Sequence, residues 1–173
     1  MKKRIDDIKP FIVLTAICLV ISALLAVTNH LTKPLIDENK QQEAQARRSE
    51  VLPEADEFNA LEVDPAWGID EAYACGDAGY VIRATRKGYG TVSVTVGLNR
   101  DGEVVGISID ASGETSGIGS KVNDEEYRVR YIGVKDSADG VDLIANATYS
   151  SSAVKQCVNA ALAAYEQIGG GAK

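Results

Sequence analysis

The sequence predicts an α+β fold: a single membrane-crossing helix, a helical stalk, and then an antiparallel sheet packed with helices. Three observations carry this. An uncharged run extends from Pro10 to Thr32, three β-branched alternating segments follow Gly79, and a helical stripe of apolar residues closes the chain.

The first nine residues hold Lys2, Lys3, Arg4 and Lys9 against two acids. The whole chain is −7, so the remainder carries −9. From Phe11 to Val27 the run is apolar apart from Thr15 and Ser22. About 20 residues at 1.5 Å rise span a hydrocarbon core of about 30 Å, so residues 10–30 are assigned as a transmembrane helix. The basic flank places residues 1–9 in the cytoplasm and the main domain outside it, with the protein in the cell inner or plasma membrane. The other reading is a cleaved leader, since Ala26-Val27-Thr28 is a passable small-x-small site. The length of the apolar run favours an uncleaved anchor. Cys18 has no small-residue lipobox before it.

Residues 31–53 read as a helical stalk, with Thr32 as cap, Pro34 in the first turn and Pro53 at the end. The outer domain is assigned to residues 54–173. Segment 54–77 has no clear periodicity, and Trp67 and Tyr73 are expected to pack onto the domain. Tyr80–Arg86, Thr91–Val96 and Val104–Ile109 are the predicted strands of a meander, separated by Gly88 and Gly90 and by the turn Asn99-Arg100-Asp101-Gly102. Asn123 to Tyr131 is a short predicted helix capped by Asn123 or Asp124. The last helix is predicted over Ser152–Ile168, with Val154, Val158, Ala161, Tyr165 and Ile168 on one face and Gly169-Gly170-Gly171 ending it.

An acidic outer domain is a poor binder of nucleic acid or anionic lipid. The sole histidine, His30, sits at the membrane edge, which removes His-dependent triads and His-rich metal sites from the outer domain. Cys75 and Cys157 are the possible pair outside the membrane. Cys157 nevertheless falls on the apolar helix face, where a buried free thiol is the commoner arrangement.

Two segments point to chemistry. In Ser112–Lys121, Gly and small polar residues let backbone amides approach a flat ring closely. Such a loop alone is weak, being equally an ordinary tight turn. It lacks the ending of a phosphate-binding P-loop and the βαβ setting of a dinucleotide site. The second segment, Val141 to Ser152, sets a run of hydroxyls at a junction into a helix, where free backbone N–H groups and the helix dipole favour phosphate. Ser150 to Ser152 serve equally as N-cap residues.

Together these segments resemble the RnfG/RsxG and NqrC family of FMN-binding domains, found in Rnf-type and Nqr-type electron transport complexes. Glu114-Thr115-Ser116-Gly117-Ile118-Gly119-Ser120-Lys121 is similar to that family's Glu-Thr-Pro-Gly-Leu-Gly-x-Lys. Asp142 through Ser151 is similar to its Asp-x-x-Ser-Gly-Ala-Thr-x-Thr-Ser. Lys87-Gly88-Tyr89-Gly90 and Thr32-Lys33-Pro34-Leu35-Ile36 match as well. The resemblance implies FMN bound covalently to Thr148 through a phosphoester. It further implies cofactor-binding roles for Glu114, Thr115, Gly117, Ile118, Gly119, Lys121, Ala147, Ser150 and Ser151. Ala145 and Asn146 stand where Ser-Gly is usual. Asn is the side chain that best replaces Gly at positive φ, so the turn is expected to survive.

The implied function is an electron-carrying subunit of an Rnf-type ion-translocating ferredoxin:NAD⁺ oxidoreductase, not a complete enzyme by itself. Its partners would be the other membrane subunits and, during maturation, a flavin transferase. The alternative is a free-standing extracytoplasmic FMN protein of electron transfer or regulation.

Overall fold

A computed structural model describes residues 2–170. The N-terminal element, α1 (Lys2–Val51), is one continuous helix of 50 residues. Its Pro10–Val51 portion is long and apolar enough to cross a membrane, by length and composition. The predicted restart at Thr32 does not occur. The Thr32 hydroxyl donates to the Thr28 carbonyl at 2.9 Å, and that of Thr28 to Leu24 at 2.9 Å, so both lie within running helix. Pro34 is also inside α1, where its missing N–H removes one backbone bond without ending the element.

The chain divides into two compact units, Met1–Ala44 and Gln45–Lys173. The second therefore begins nine residues before residue 54, the start expected for the outer domain. The reason is packing: Val51 and Leu52 are buried with Cys75 and Val81.

In that unit the strands are β1 (Asn59–Ala60), β2 (Glu71–Ala74), β3 (Tyr80–Lys87), β4 (Thr91–Leu98) and β5 (Val104–Asp110). They form one antiparallel sheet in chain order. The three predicted strands are present. β1 and β2 extend the meander across the segment that lacked periodicity. A strand of two residues and one of four are too short to display alternation.

The sheet's two faces are covered differently. On one, Ile82, Ala84, Val92, Val94, Val96 and Leu98 form the main core with the last helix, α3 (Thr148–Tyr165). The predicted apolar stripe is correct: Val154, Val158, Ala161 and Tyr165 are buried, and Ile168 packs against the core. Five residues of π-helix, Glu166–Gly170, carry the helix on; Gly171 lies outside the described residues. Between β5 and α3 the expected single helix is three short pieces: a 3-10 turn Gly119–Asn123, α2 (Glu125–Arg128), and a 3-10 turn Val129–Tyr131. Asp124 caps α2 by position, without a side-chain bond.

On the other face, the end of α1 lies against the sheet. Glu50 accepts from Ser108 at 2.9 Å and pairs with Arg128 at 3.2 Å, while Arg47 pairs with Asp110 at 3.2 Å. Arg48 stands 4.4 Å from the Tyr73 ring centre. Gly97 and Gly106 are cross-strand partners, and a Cβ on either would collide with the Val51 carbonyl oxygen. These two glycines let helix backbone touch sheet backbone. Gly106→Ala should therefore destabilise the unit by about 1–3 kcal/mol, the usual cost of overpacking. Thermal melting of the full chain in detergent measures it, and an unchanged midpoint would mean the helix end is not seated there.

Cys75 and Cys157 are free and sit in different apolar clusters. Burial pushes the Cys157 thiol up to about 12 and raises that of Cys75, so both are inert apolar side chains.

Candidate functional site

Three elements converge at one end of the sheet: the β3–β4 hairpin, the loop after β5, and the first turn of α3. What joins them is Glu114. It is buried, and both carboxylate oxygens are used. The Gly90 N–H donates to Oε1 at 2.9 Å, and the Ser150 hydroxyl donates to Oε2 at 2.5 Å. The packing is close, since a Cβ on Gly119 would stand 2.7 Å from Ser150 Oγ and 2.8 Å from Glu114 Oε2. Glu114 thus orients the loop from inside.

The loop is shaped by its own backbone. The Thr115 carbonyl accepts from Ile118 at 3.2 Å, Gly119 at 2.9 Å and Ser120 at 3.3 Å, and Ser120 Oγ accepts from the Gly117 N–H at 2.9 Å. Gly117 has φ +76°, and a Cβ there would meet nothing within 4 Å. Bulk at 117 would therefore strain the backbone without crowding any protein neighbour. Thr115, Gly117, Ile118 and Lys121 are exposed, while Gly119 is buried against Glu114.

At the second segment, α3 starts at Thr148, four residues earlier than the hydroxyl run suggested. Ala147 occupies the N-cap and gives no side-chain cap. The first intrahelical bond runs from Ser151 N–H to the Ala147 carbonyl at 2.9 Å. The amides of Thr148, Tyr149 and Ser150 thus have no acceptor within the helix. Asn146 has φ +67°, so asparagine does fill the turn position where the pattern it resembles carries glycine.

The hydroxyls then separate by role. Thr148 is exposed at the open end of α3. Ser150 is buried on Glu114. Ser151 is buried too, donating to the Ala147 carbonyl at 2.8 Å and accepting from the Ile144 N–H at 3.2 Å. The structure therefore gives Ser150 and Ser151 protein partners that fix the turn, and leaves Thr148 facing out. Lys155, the eighth residue of α3, donates from Nζ to the Asp139 carbonyl at 3.0 Å.

Sequence reasoning missed two residues here. Tyr89, at the hairpin tip, and Tyr149, beside Thr148, are 67% and 66% exposed, and their rings meet edge to face at 5.2 Å. Tyr89 also lines an open groove of about 470 Å³ with Thr85, Arg86, Lys87, Gly90 and Thr91. An aromatic directly after the candidate acceptor was the available signal. Among the described residues, no group of three or more His, Cys, Asp or Glu could hold a metal ion.

Residues 88–163 match the FMN-binding domain family, a span that takes in the hairpin tip, the loop and most of α3. Residues 9–51 match the RnfG N-terminal region. The chain is also similar to the G subunit of the Na(+)-translocating ferredoxin:NAD(+) oxidoreductase complex of Acetobacterium woodii. They are 30% identical over 190 positions, covering 91% of this chain and 90% of that protein. This chain belongs to the RnfG family. Membership covers the long helix as well as the sheet domain, so the α1 segment is a family feature and not an appendage of the FMN-binding domain.

The residues present suit FMN in such a domain. An uncapped N-terminus of α3 offers three amides to a phosphate beside an exposed hydroxyl. The open space at Gly117 and the exposed Tyr pair offer room and flat apolar surface to a ring.

Proposed function

We propose that this chain is the membrane-anchored electron-transfer subunit of an Rnf-type complex, carrying FMN as a phosphoester of Thr148. The observation that carries this reading is the exposed Thr148 at the uncapped start of α3, with the neighbouring serine hydroxyls turned inward. A family match to the RnfG N-terminal region favours membership of a complex over a free-standing flavoprotein. The related protein's complex is named for ferredoxin:NAD⁺ oxidoreduction and Na⁺ translocation, and we take the same class of complex for this chain.

FMN supplies one- and two-electron redox chemistry when bound. The protein's part is placement. The α3 amides and dipole stabilise the phosphate diester's charge, and Asn146 turns the chain so that Thr148 begins the helix. Glu114 locks the loop and the hairpin to that turn. A flavin transferase installs the cofactor, and the remaining membrane subunits are the electron partners.

Peptide mass spectrometry across residues 136–155 tests the assignment, after co-expression with a flavin transferase. The expected product carries FMN less water on Thr148. Flavin on Ser150, Ser151 or Ser152 would overturn the residue assignment, and no covalent flavin would overturn the linkage.

Orientation has its own test. The basic flank before Pro10 puts the sheet domain outside the cytoplasm. A cysteine placed at exposed Ser137 should react with an impermeant reagent on intact cells. Labelling only after permeabilisation would reverse the topology.

A further inference from the structure

We propose that Tyr149 and Tyr89 form an aromatic wall that seats a flavin ring tethered at Thr148, with Tyr149 as the positioning residue. This rests on the attachment proposed above. The Gln45–Lys173 unit has these two aromatics among its exposed large apolar side chains, and they touch one another. They come from elements far apart in sequence, the hairpin tip and the second residue of α3. Both elements are held by the same carboxylate at the residue that follows each tyrosine, because Gly90 and Ser150 are the two donors to Glu114. The pair is thus held in place by the buried framework.

Rings of this kind contribute much of their stabilisation when covered. A tyrosine buries on the order of 150–250 Å², yet each of these remains about two-thirds exposed. Edge-to-face at 70°, the pair presents one ring face beside one ring edge, the surface a flat heteroaromatic packs against. The occupant is set by adjacency. Successive helical residues diverge by about 100°, so Tyr149 flanks the Thr148 hydroxyl without blocking it. A ring tethered by its phosphate at 148 has this wall as neighbouring apolar surface, with the Arg86 and Lys87 side of the groove beyond Tyr89.

The test uses the full chain in detergent after co-expression with a flavin transferase. Two readouts are taken: intact mass, which reports attachment, and flavin fluorescence per attached flavin. Tyrosine and tryptophan in contact with an excited flavin quench it by electron transfer, and leucine does not. Tyr149→Leu should keep the mass gain and raise emission several-fold. Tyr89→Leu should raise it less, the double variant most, and Tyr149→Trp should stay as dark as the parent. Full attachment with equal emission in the parent and the double variant overturns the inference and leaves the attachment standing, assigning the wall instead to a partner protein. A parent without the mass gain overturns both. Should Tyr149→Leu lose attachment, Tyr89→Leu, on a separate element, still decides by its emission.

Discussion

Thr148→Ala should abolish covalent flavin completely while leaving the fold intact. The hydroxyl is the atom that would form the ester, and the residue is exposed at the first position of α3. Substitution at such a surface site moves stability by no more than about 0.5 kcal/mol, so a null result by mass could not be blamed on unfolding. Thr148→Ser should retain partial attachment, since it keeps the nucleophilic oxygen. Ser150→Ala should retain attachment but lower stability, because it removes a hydrogen bond to a buried carboxylate. Such bonds are worth about 1.5–3 kcal/mol. Intact mass and a melting curve on the same samples separate these outcomes. Attachment surviving in Thr148→Ala would move the acceptor elsewhere.

Glu114→Ala should be the most destabilising change near the site. It leaves the Ser150 hydroxyl without its acceptor in a buried setting, and the Gly90 N–H without its acceptor in a part-buried one. At about 1–3 kcal/mol for the buried hydroxyl and less for the partly solvated N–H, the loss is about 2–4 kcal/mol, a large fraction of a typical domain's stability. Glu114→Gln should cost much less, because its amide can accept from Gly90 and donate to the Ser150 oxygen. Urea unfolding followed by circular dichroism distinguishes them. Equal midpoints for the alanine variant and the parent would show that Glu114 does not hold the three elements together.

How much of this was legible in the sequence depends on how locally each feature is encoded. The three long strands were readable because alternation repeats over six to eight residues. The buried face of α3 was readable because its spacing holds for four turns. Asn146 was readable too, since few side chains tolerate positive φ. The start of α3 was not. Ser150 to Ser152 look like capping residues, but Ser150 and Ser151 bond inward to partners that only the fold supplies, and the helix begins before them, at Thr148. Pro34 misled in the same way, since a proline permitted in a first turn can also sit inside a long helix. Glu114 carries no local mark of its role. Its partners are 24 and 36 residues away, so a loop carboxylate became a buried clasp only once hairpin and helix were in place.

Because the strands lie side by side in chain order, the sheet can assemble progressively as the polypeptide emerges during synthesis. Its apolar face cannot be sealed at the same pace. Val92, Val94, Val96 and Leu98 wait for Val154, Val158 and Ala161, which follow well after them in the chain. Until they arrive the nascent domain carries a bare hydrophobic surface, the kind that recruits chaperones or aggregates. The helix that closes this surface is also the one that presents Thr148. Completion of the core and maturation of the acceptor turn are therefore one event, and a chain truncated before residue 148 would lose solubility and acceptor together.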